Sequence, residues 1–240
     1  MRRVKSRYAA CVLGAVSAMA ISANASAETG LYGSLKLGGS ILQDMNFSEA
    51  STANLSLDPN AGFSLSGGVG YRFGNAIRLE FDLGYGDNSL DGGFQQNVQA
   101  FVPCGELPGN PCLDPNVDGK AKSLSGFVTG SYDLPVAGAF KPYIGVGVGF
   151  IDVDLHVDTR AAMNAGTVSR FDIINGSDTV VGYRGTLGVA YDMGDVDLTL
   201  AYTYTFTDRM NIPGKGTLVT FDFDRRMRAH ALMAGGSYNF

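Results

Sequence analysis

Beyond its N-terminal segment the 240-residue chain has no stretch apolar enough for a transmembrane helix, because Gly, Ser, Thr or a charge interrupts each apolar run every second residue. That excludes a helical membrane protein but not the membrane, since a closed sheet also satisfies every backbone N–H and C=O inside a bilayer. Basic residues are scarce and form no cluster. Past residue 27, 14 Lys and Arg stand against 23 Asp and Glu, a formal charge of −9. Nucleic acid is therefore not expected as a partner, for want of an electrostatic footprint. Cysteine is limited to Cys11, Cys104 and Cys112, and histidine to His156 and His230. No Gly-x-Ser-x-Gly elbow occurs, and neither histidine is followed by the nearby serine of a His-Ser lipase-type site. His156 with Asp154 and Asp158 imitates an acid-base cluster, yet neighbouring polar residues above a membrane do so by chance. No enzymatic activity and no cofactor are expected.

What is present begins with an export signal: Arg2, Arg3, Lys5 and Arg7, an apolar core over residues 8–21, then Ala25-Ser26-Ala27 as a small-residue cleavage site ahead of Glu28. The core is too short to span a bilayer. Two units are thus expected, a cleaved signal over residues 1–27 and a single domain over 28–240. In that domain glycine, phenylalanine and tyrosine favour many short strands.

The strands alternate with period two. Residues 31–41 set Leu31, Gly33, Leu35, Leu37 and Ile41 against Tyr32, Ser34 and Lys36. Residues 61–73 set Phe63, Leu65, Val69, Tyr71 and Phe73 against Ser64, Ser66, Gly68, Gly70 and Arg72. Over residues 76–85, Ile77, Leu79, Phe81, Leu83 and Tyr85 alternate with Arg78, Glu80, Asp82 and Gly84. Three ionisable residues on one face are intolerable against lipid and readily paired inside a barrel. Residues 122–134 follow, with Phe127 on the wrong face and read as interior packing. The strand from Phe140 inverts its pattern after Phe150, where Ile151, Val153, Leu155 and Val157 oppose Asp152, Asp154 and His156; this implies a bulge or emergence from the membrane. Residues 181–191 and 196–206 repeat the alternation, and the last strand carries Leu232, Ala234, Gly236, Tyr238 and Phe240 on one face.

Short turns near residues 74–75, 135–139 and 193–195 alternate with polar loops over residues 43–60, 87–120, 158–178 and 208–225. The expected fold is all-β: an eight-stranded antiparallel up-and-down transmembrane β-barrel with short periplasmic turns, four long extracellular loops and both termini periplasmic. A lipocalin-like secreted barrel would point its apolar face inward, and the aromatics at the ends of the apolar faces argue against it.

The signal, the Gly-rich first strand, Arg78-Leu79-Glu80, the run Pro142-Tyr143-Ile144-Gly145-Val146-Gly147-Val148-Gly149 and the terminal Ser237-Tyr238-Asn239-Phe240 resemble the eight-stranded outer-membrane β-barrel family of opacity-type proteins, the 25 and 31 kDa surface antigens and the OmpA transmembrane domain. The resemblance spans the whole mature chain and rests on strand texture. It implies a surface structural protein of a Gram-negative envelope, engaged in envelope integrity, host-cell contact and immune recognition. The family's assembly signal resembles polar-x-Gly-x-x-aromatic-x-aromatic. Gly235, Tyr238 and Phe240 match it, while Met233 stands where a polar residue is usual.

Candidate site residues follow from placement. Arg72, Arg78, Glu80, Asp82, Arg184 and Asp197 are expected inside a barrel just wide enough for side chains, where charges must pair. A salt-bridged plug is the first reading and a gated pore the alternative. Cys104 and Cys112, seven residues apart in an exported loop, are expected to form a disulfide, since two cysteines without neighbouring histidines make half a zinc site. Asp114-Pro115-Asn116-Val117-Asp118-Gly119 copies the opening of a calcium loop, but Ser125 occupies the twelfth position in place of the bidentate Glu, so a polar turn is expected and no metal. His230 beside Arg228 reads as a rim residue touching lipid headgroups. The expected partners are outer-membrane lipids, the barrel-assembly machinery and surface ligands met through the loops. Surface contact is the expected role, a narrow passive channel the alternative, and a lipid-modifying enzyme a remoter one.

Overall fold

The computed structural model describes residues 29–43, 45–48, 54–95, 112–136, 138–163, 167–212 and 223–240. They form ten strands: β1 (Gly30–Leu42), β2 (Met45–Ser48), β3 (Asn54–Pro59), β4 (Gly62–Arg72), β5 (Ile77–Gln95), β6 (Cys112–Asp133), β7 (Phe140–Met163), β8 (Thr167–Asp192), β9 (Val196–Ile212) and β10 (Phe223–Asn239). All but β2 and β3 close an eight-stranded antiparallel barrel. β1 pairs with both β4 and β10, and the β5–β6 ladder joins the remaining edges. The expected eight-stranded antiparallel up-and-down β-barrel is the one observed.

Alternation explains the wall. On β5, Leu79 and Phe81 are exposed while Arg78, Glu80 and Asp82 are buried; on β9, Leu198 and Leu200 are exposed while Asp197, Thr199 and Ala201 are buried. The outward apolar set encircles the barrel over a height that hydrocarbon can cover, about nine to eleven residues per strand.

One end is closed by tight connections. Phe73 N–H donates to Ile77 O at 2.8 Å, with Ala76 left-handed at φ 65°. Met193 N–H donates to Val196 O at 2.9 Å, with glycine at the left-handed position, Gly194 at φ 93°. Asp192 accepts from Lys141 Nζ at 2.6 Å and from Gly194 N–H at 2.8 Å, and these bonds, the lysine's first, hold its carboxyl below the usual carboxylate range. The chain end is stitched to the same rim, where Phe240 N–H donates to Leu31 O at 2.9 Å and Asn239 N–H to Asp195 O at 2.8 Å.

The other end is more strand-rich than the sequence suggests. β5 continues to Gln95, β6 begins at Cys112, and β7 and β8 run to Met163 and from Thr167, so much of the expected second and third loops is sheet. The expected first loop contains the β2–β3 hairpin. β5 outlasts β4, and β3 pairs with the surplus from Asn54↔Gln95 to Pro59↔Leu90, satisfying an edge that would otherwise stand bare.

No bulge occurs at Phe150. The β7–β8 register is unbroken from Phe140↔Tyr191 to Val157↔Ile174 and shifts only beyond Val157. What changes is the chemistry of each face. Phe150, Asp152 and Asp154 all point outward, whereas Ile151, Val153, Leu155 and Val157 point inward and are buried. Against lipid the outside must be apolar; beyond lipid the outside meets water and the inside must be an ordinary core. Leu42, Leu90, Phe127, Val180, Met210 and Met227 complete that core at the loop end.

Candidate functional site

The barrel interior is built in tiers. Nearest the short turns, Arg72 Nη2 lies 2.7 Å from Asp197 Oδ2 and Arg78 Nη2 lies 2.6 Å from Asp133 Oδ1. Arg72 and Arg78 are direct cross-strand partners, a repulsive arrangement that pairing with separate carboxylates relieves. Each guanidinium also faces a tyrosine ring, Arg72 at 5.8 Å from the Tyr32 centroid and Arg78 at 4.4 Å from that of Tyr143. Those rings lie flat over Gly70 and Gly188, where any Cβ would collide with them.

The next tier holds Lys36 paired with Glu80, which also accepts from Ser34 Oγ at 3.2 Å. Arg184 Nη1 donates to both oxygens of Asp82, at 2.7 and 3.0 Å, and its guanidinium lies 3.8 Å from the Phe127 ring centroid. Above, the apolar cap begins. A cavity of about 140 Å³ runs along both tiers to the cap, lined by Arg78, Glu80 and Arg184 and by hydroxyls such as those of Ser66 and Ser125, with Phe127 and Met227 at its capped side.

All six charged residues expected inside lie there, though not only with one another. Arg78 goes to Asp133 and Glu80 to Lys36, and sequence reasoning left Lys36, Asp133, Tyr32 and Tyr143 out of the plug. The signal was parity: Tyr32 and Lys36 share the inward face of β1, and Asp133 continues the row of Ser123, Ser125, Thr129 and Ser131. Gly235 faces inward, where a Cβ would strike Lys36; Tyr238 and Phe240 face outward with rings edge to face at 5.3 Å. Cys112 opens β6, whereas Cys104 and the signal with Ala25, Ala27 and Glu28 lie outside the described residues. Residues 114–119, expected as a turn, belong to β6, with a register irregularity between Leu113 and Val117.

The loop end of the outer wall carries two arrays of charge. On β5 to β8, Asp91, Asp118, Asp158 and Asp172 are successive cross-strand partners, and Lys120 and Lys122 lie on the rows beneath. His156 Nε2 is 3.9 Å from both Asp158 Oδ1 and Asp172 Oδ1. On the other side stands a basic group built on the run Arg225-Arg226-Met227-Arg228. Arg209 of β9 is the cross-strand partner of Arg226 of β10, and Arg228 pairs with Phe206. Between them Thr207 and Asp208 oppose Met227, a bulge whose Met227 N–H donates inward to Thr207 Oγ1 at 2.9 Å, leaving all three arginines exposed. Directly below, His230 is hydrogen-bonded on both ring nitrogens, Nε2 2.9 Å from Gln43 Nε2 and Nδ1 2.6 Å from Tyr202 Oη.

The family model described as "Outer membrane protein beta-barrel domain" matches residues 8–240. An outer membrane protein of Gluconacetobacter diazotrophicus is 27% identical over 94% of this chain, which spans 61% of that relative's length. Outer membrane protein PagN of Salmonella typhimurium is 27% identical over 99% of this chain and 100% of its own. Among solved structures, Neisserial surface protein A is 19% identical, covering 88% of this chain and 97% of its own with a TM-score of 0.45.

Proposed function

We propose, from the premise that the chain belongs to the outer membrane protein β-barrel domain family, that it is a non-conducting surface-contact protein whose loop end projects outside the cell. The observation that carries this reading is the β7–β8 ladder, which holds its register through Val157↔Ile174 as the barrel changes from lipid-facing to water-facing and continues, after one shift, to Met163↔Thr167. The thirteen residues of β7 beyond Phe150 extend roughly 30 Å along the barrel axis, at about 3.3 Å per residue and a tilt near 40°. A protein that only anchored itself has no use for such a projection, whereas one that meets ligands or other cells does. Both termini then face the periplasm, the signal over residues 1–27 is removed on export, Phe240 ends the assembly signal, and no catalytic step is assigned.

The channel reading is disfavoured by the two tiers of ion pairs beneath an apolar cap. Planar-bilayer recordings of refolded protein are expected to be silent. Reproducible single-channel steps in the parent, lost or widened in Arg78→Ala and Glu80→Ala, would restore the channel. For surface contact, cells carrying a barrel with residues 87–120 and 158–178 shortened to tight hairpins are expected to lose adhesion and serum survival relative to the parent. Equal performance, with heat-modifiable migration showing that the shortened barrel folds, removes the contact role.

A further inference from the structure

The wall of β9 and β10 meets the membrane surface at a height that β10 itself measures. From Phe240 the outward positions run through Tyr238, Gly236, Ala234 and Leu232 to His230. At about 2.5 Å of axial rise per residue, from the strand spacing and a tilt near 40°, His230 stands about 25 Å above Phe240, the full height of a barrel's apolar band. Arg228 and Arg226 stand above that edge, at headgroup depth.

Three features at that depth converge on one chemistry. The bulge at Met227 turns Arg226, Arg228 and Arg209 to the same outer side. Among the described residues neither Arg226 nor Arg228 has a carboxylate partner, although acidic residues outnumber basic ones in the chain. Below them, the hydrogen-bonded row Gln43–His230–Tyr202 fixes the exposed Tyr202 hydroxyl at the same level. Tyr204 and Phe206 flank this, with Tyr204 5.0 Å from the His230 ring and Phe206 stacked on Tyr183 at 5.1 Å, as side chains of an interfacial belt do. Planar guanidiniums match phosphate oxygens two at a time.

We infer that Arg226 and Arg228, with Arg209 and the Tyr202 hydroxyl beside them, form a binding site for the phosphate-bearing headgroup of an outer-leaflet glycolipid. The site rests on the orientation proposed above, in which the loop end faces the outer leaflet. The lipid occupies the β9–β10 side only. On β5 to β8 the row Asp91, Asp118, Asp158 and Asp172 lies between that wall's own bases, Lys120 and Lys122 below it and the Arg160↔Arg170 register pair above, so carboxylates stand beside each base there and bound glycolipid is expected at the β9–β10 azimuth.

The test reconstitutes the mature protein in phosphatidylcholine vesicles containing diphosphoryl lipid A and measures the lipid retained on extraction. Arg226→Gln/Arg228→Gln is expected to weaken retention roughly 30-fold, about fivefold for each charge near an anionic surface. Lys120→Gln/Lys122→Gln, on the opposite wall, is expected to leave it unchanged, and rising salt to weaken the parent and this lysine variant much more than the arginine variant. Equal retention by parent and arginine variant overturns the site, as does an equal loss in the lysine variant. Displacement of lipid A by inorganic phosphate or a sulfated glycan at comparable concentration overturns the lipid as occupant. Orientation is read separately, from labelling of Ser89→Cys by an impermeant maleimide on intact cells, above the parent's background. Labelling without lipid discrimination sinks only the lipid site; no labelling sinks the orientation and the site with it.

Discussion

The guanidinium of Arg184 rests on the ring of Phe127, 3.8 Å from its centroid, while holding both oxygens of Asp82. This contact is the seam between the two interiors: a paired charge on one side of the ring, an aliphatic core on the other. Phe127→Ala removes the ring from both. Loss of a buried Phe is expected to cost about 3–5 kcal/mol, and Phe127→Leu distinctly less. Urea-unfolding midpoints of the folded barrel in detergent check this, and equal midpoints for the alanine variant and the parent refute it.

Asp197 is 1% exposed and meets Arg72. Asp197→Asn strands a buried guanidinium and is expected to cost about 3–5 kcal/mol, whereas the double variant Arg72→Met/Asp197→Leu removes both charges and is expected to lie close to the parent or above it. The same unfolding measurement reads the difference, and a double variant as unstable as Asp197→Asn would show that the pair itself stabilises the barrel.

Tyr32 and Tyr143 lie over Gly70 and Gly188. Gly70→Val and Gly188→Val force the rings off and pull Arg72 and Arg78 with them, at about 1–3 kcal/mol each for overpacking. Refolding yield by heat-modifiable gel migration is expected to fall. Unchanged yield and midpoint would mean the rings have other places to lie.

At the short-turn rim, the hydrogen bonds to Asp192 depress its pKa. A depressed carboxylate stabilises the fold above its unfolded pKa, and that contribution fades as pH falls through the lower folded value. Asp192→Asn is expected to lower the unfolding midpoint slightly at neutral pH and to match the parent in strong acid. A gap between them that widens on acidification contradicts the assignment.

The proposed Cys104–Cys112 disulfide closes a short loop and is expected to add about 2.5 kcal/mol by the chain-entropy relation. Thiol labelling of unreduced, unfolded mature protein, from which Cys11 has gone with the signal, is expected to find no reactive cysteine. Two labelled thiols dismiss the bridge.

Strand identity and facing were legible because lipid and a narrow lumen make opposite demands on alternate residues; the placement of Phe127 inside, against the pattern, came from that rule. Legibility failed where the environment changes while the geometry does not. After Phe150 the same alternation carries the opposite meaning, so a bulge was an equal reading of Ile151 to Val157. The β2–β3 hairpin was hidden because Leu55 and Leu57 are too few to show a period, and its existence depends on how far β5 overruns β4. The arginine group was only half legible: Arg225-Arg226-Met227-Arg228 is a basic run in the sequence, but Arg209, seventeen positions before Arg226, joins it only through the β9–β10 register.

The β7–β8 ladder has a mechanical consequence. A pull on its tip acts along the strands, so it reaches the membrane as shear across the flanking ladders with β6 and β9, in which many hydrogen bonds resist together. The same pull on a loose loop would first spend its work straightening chain. Whatever the tip holds is therefore coupled stiffly to the bilayer, and tension between the cell and a surface would be carried by the sheet.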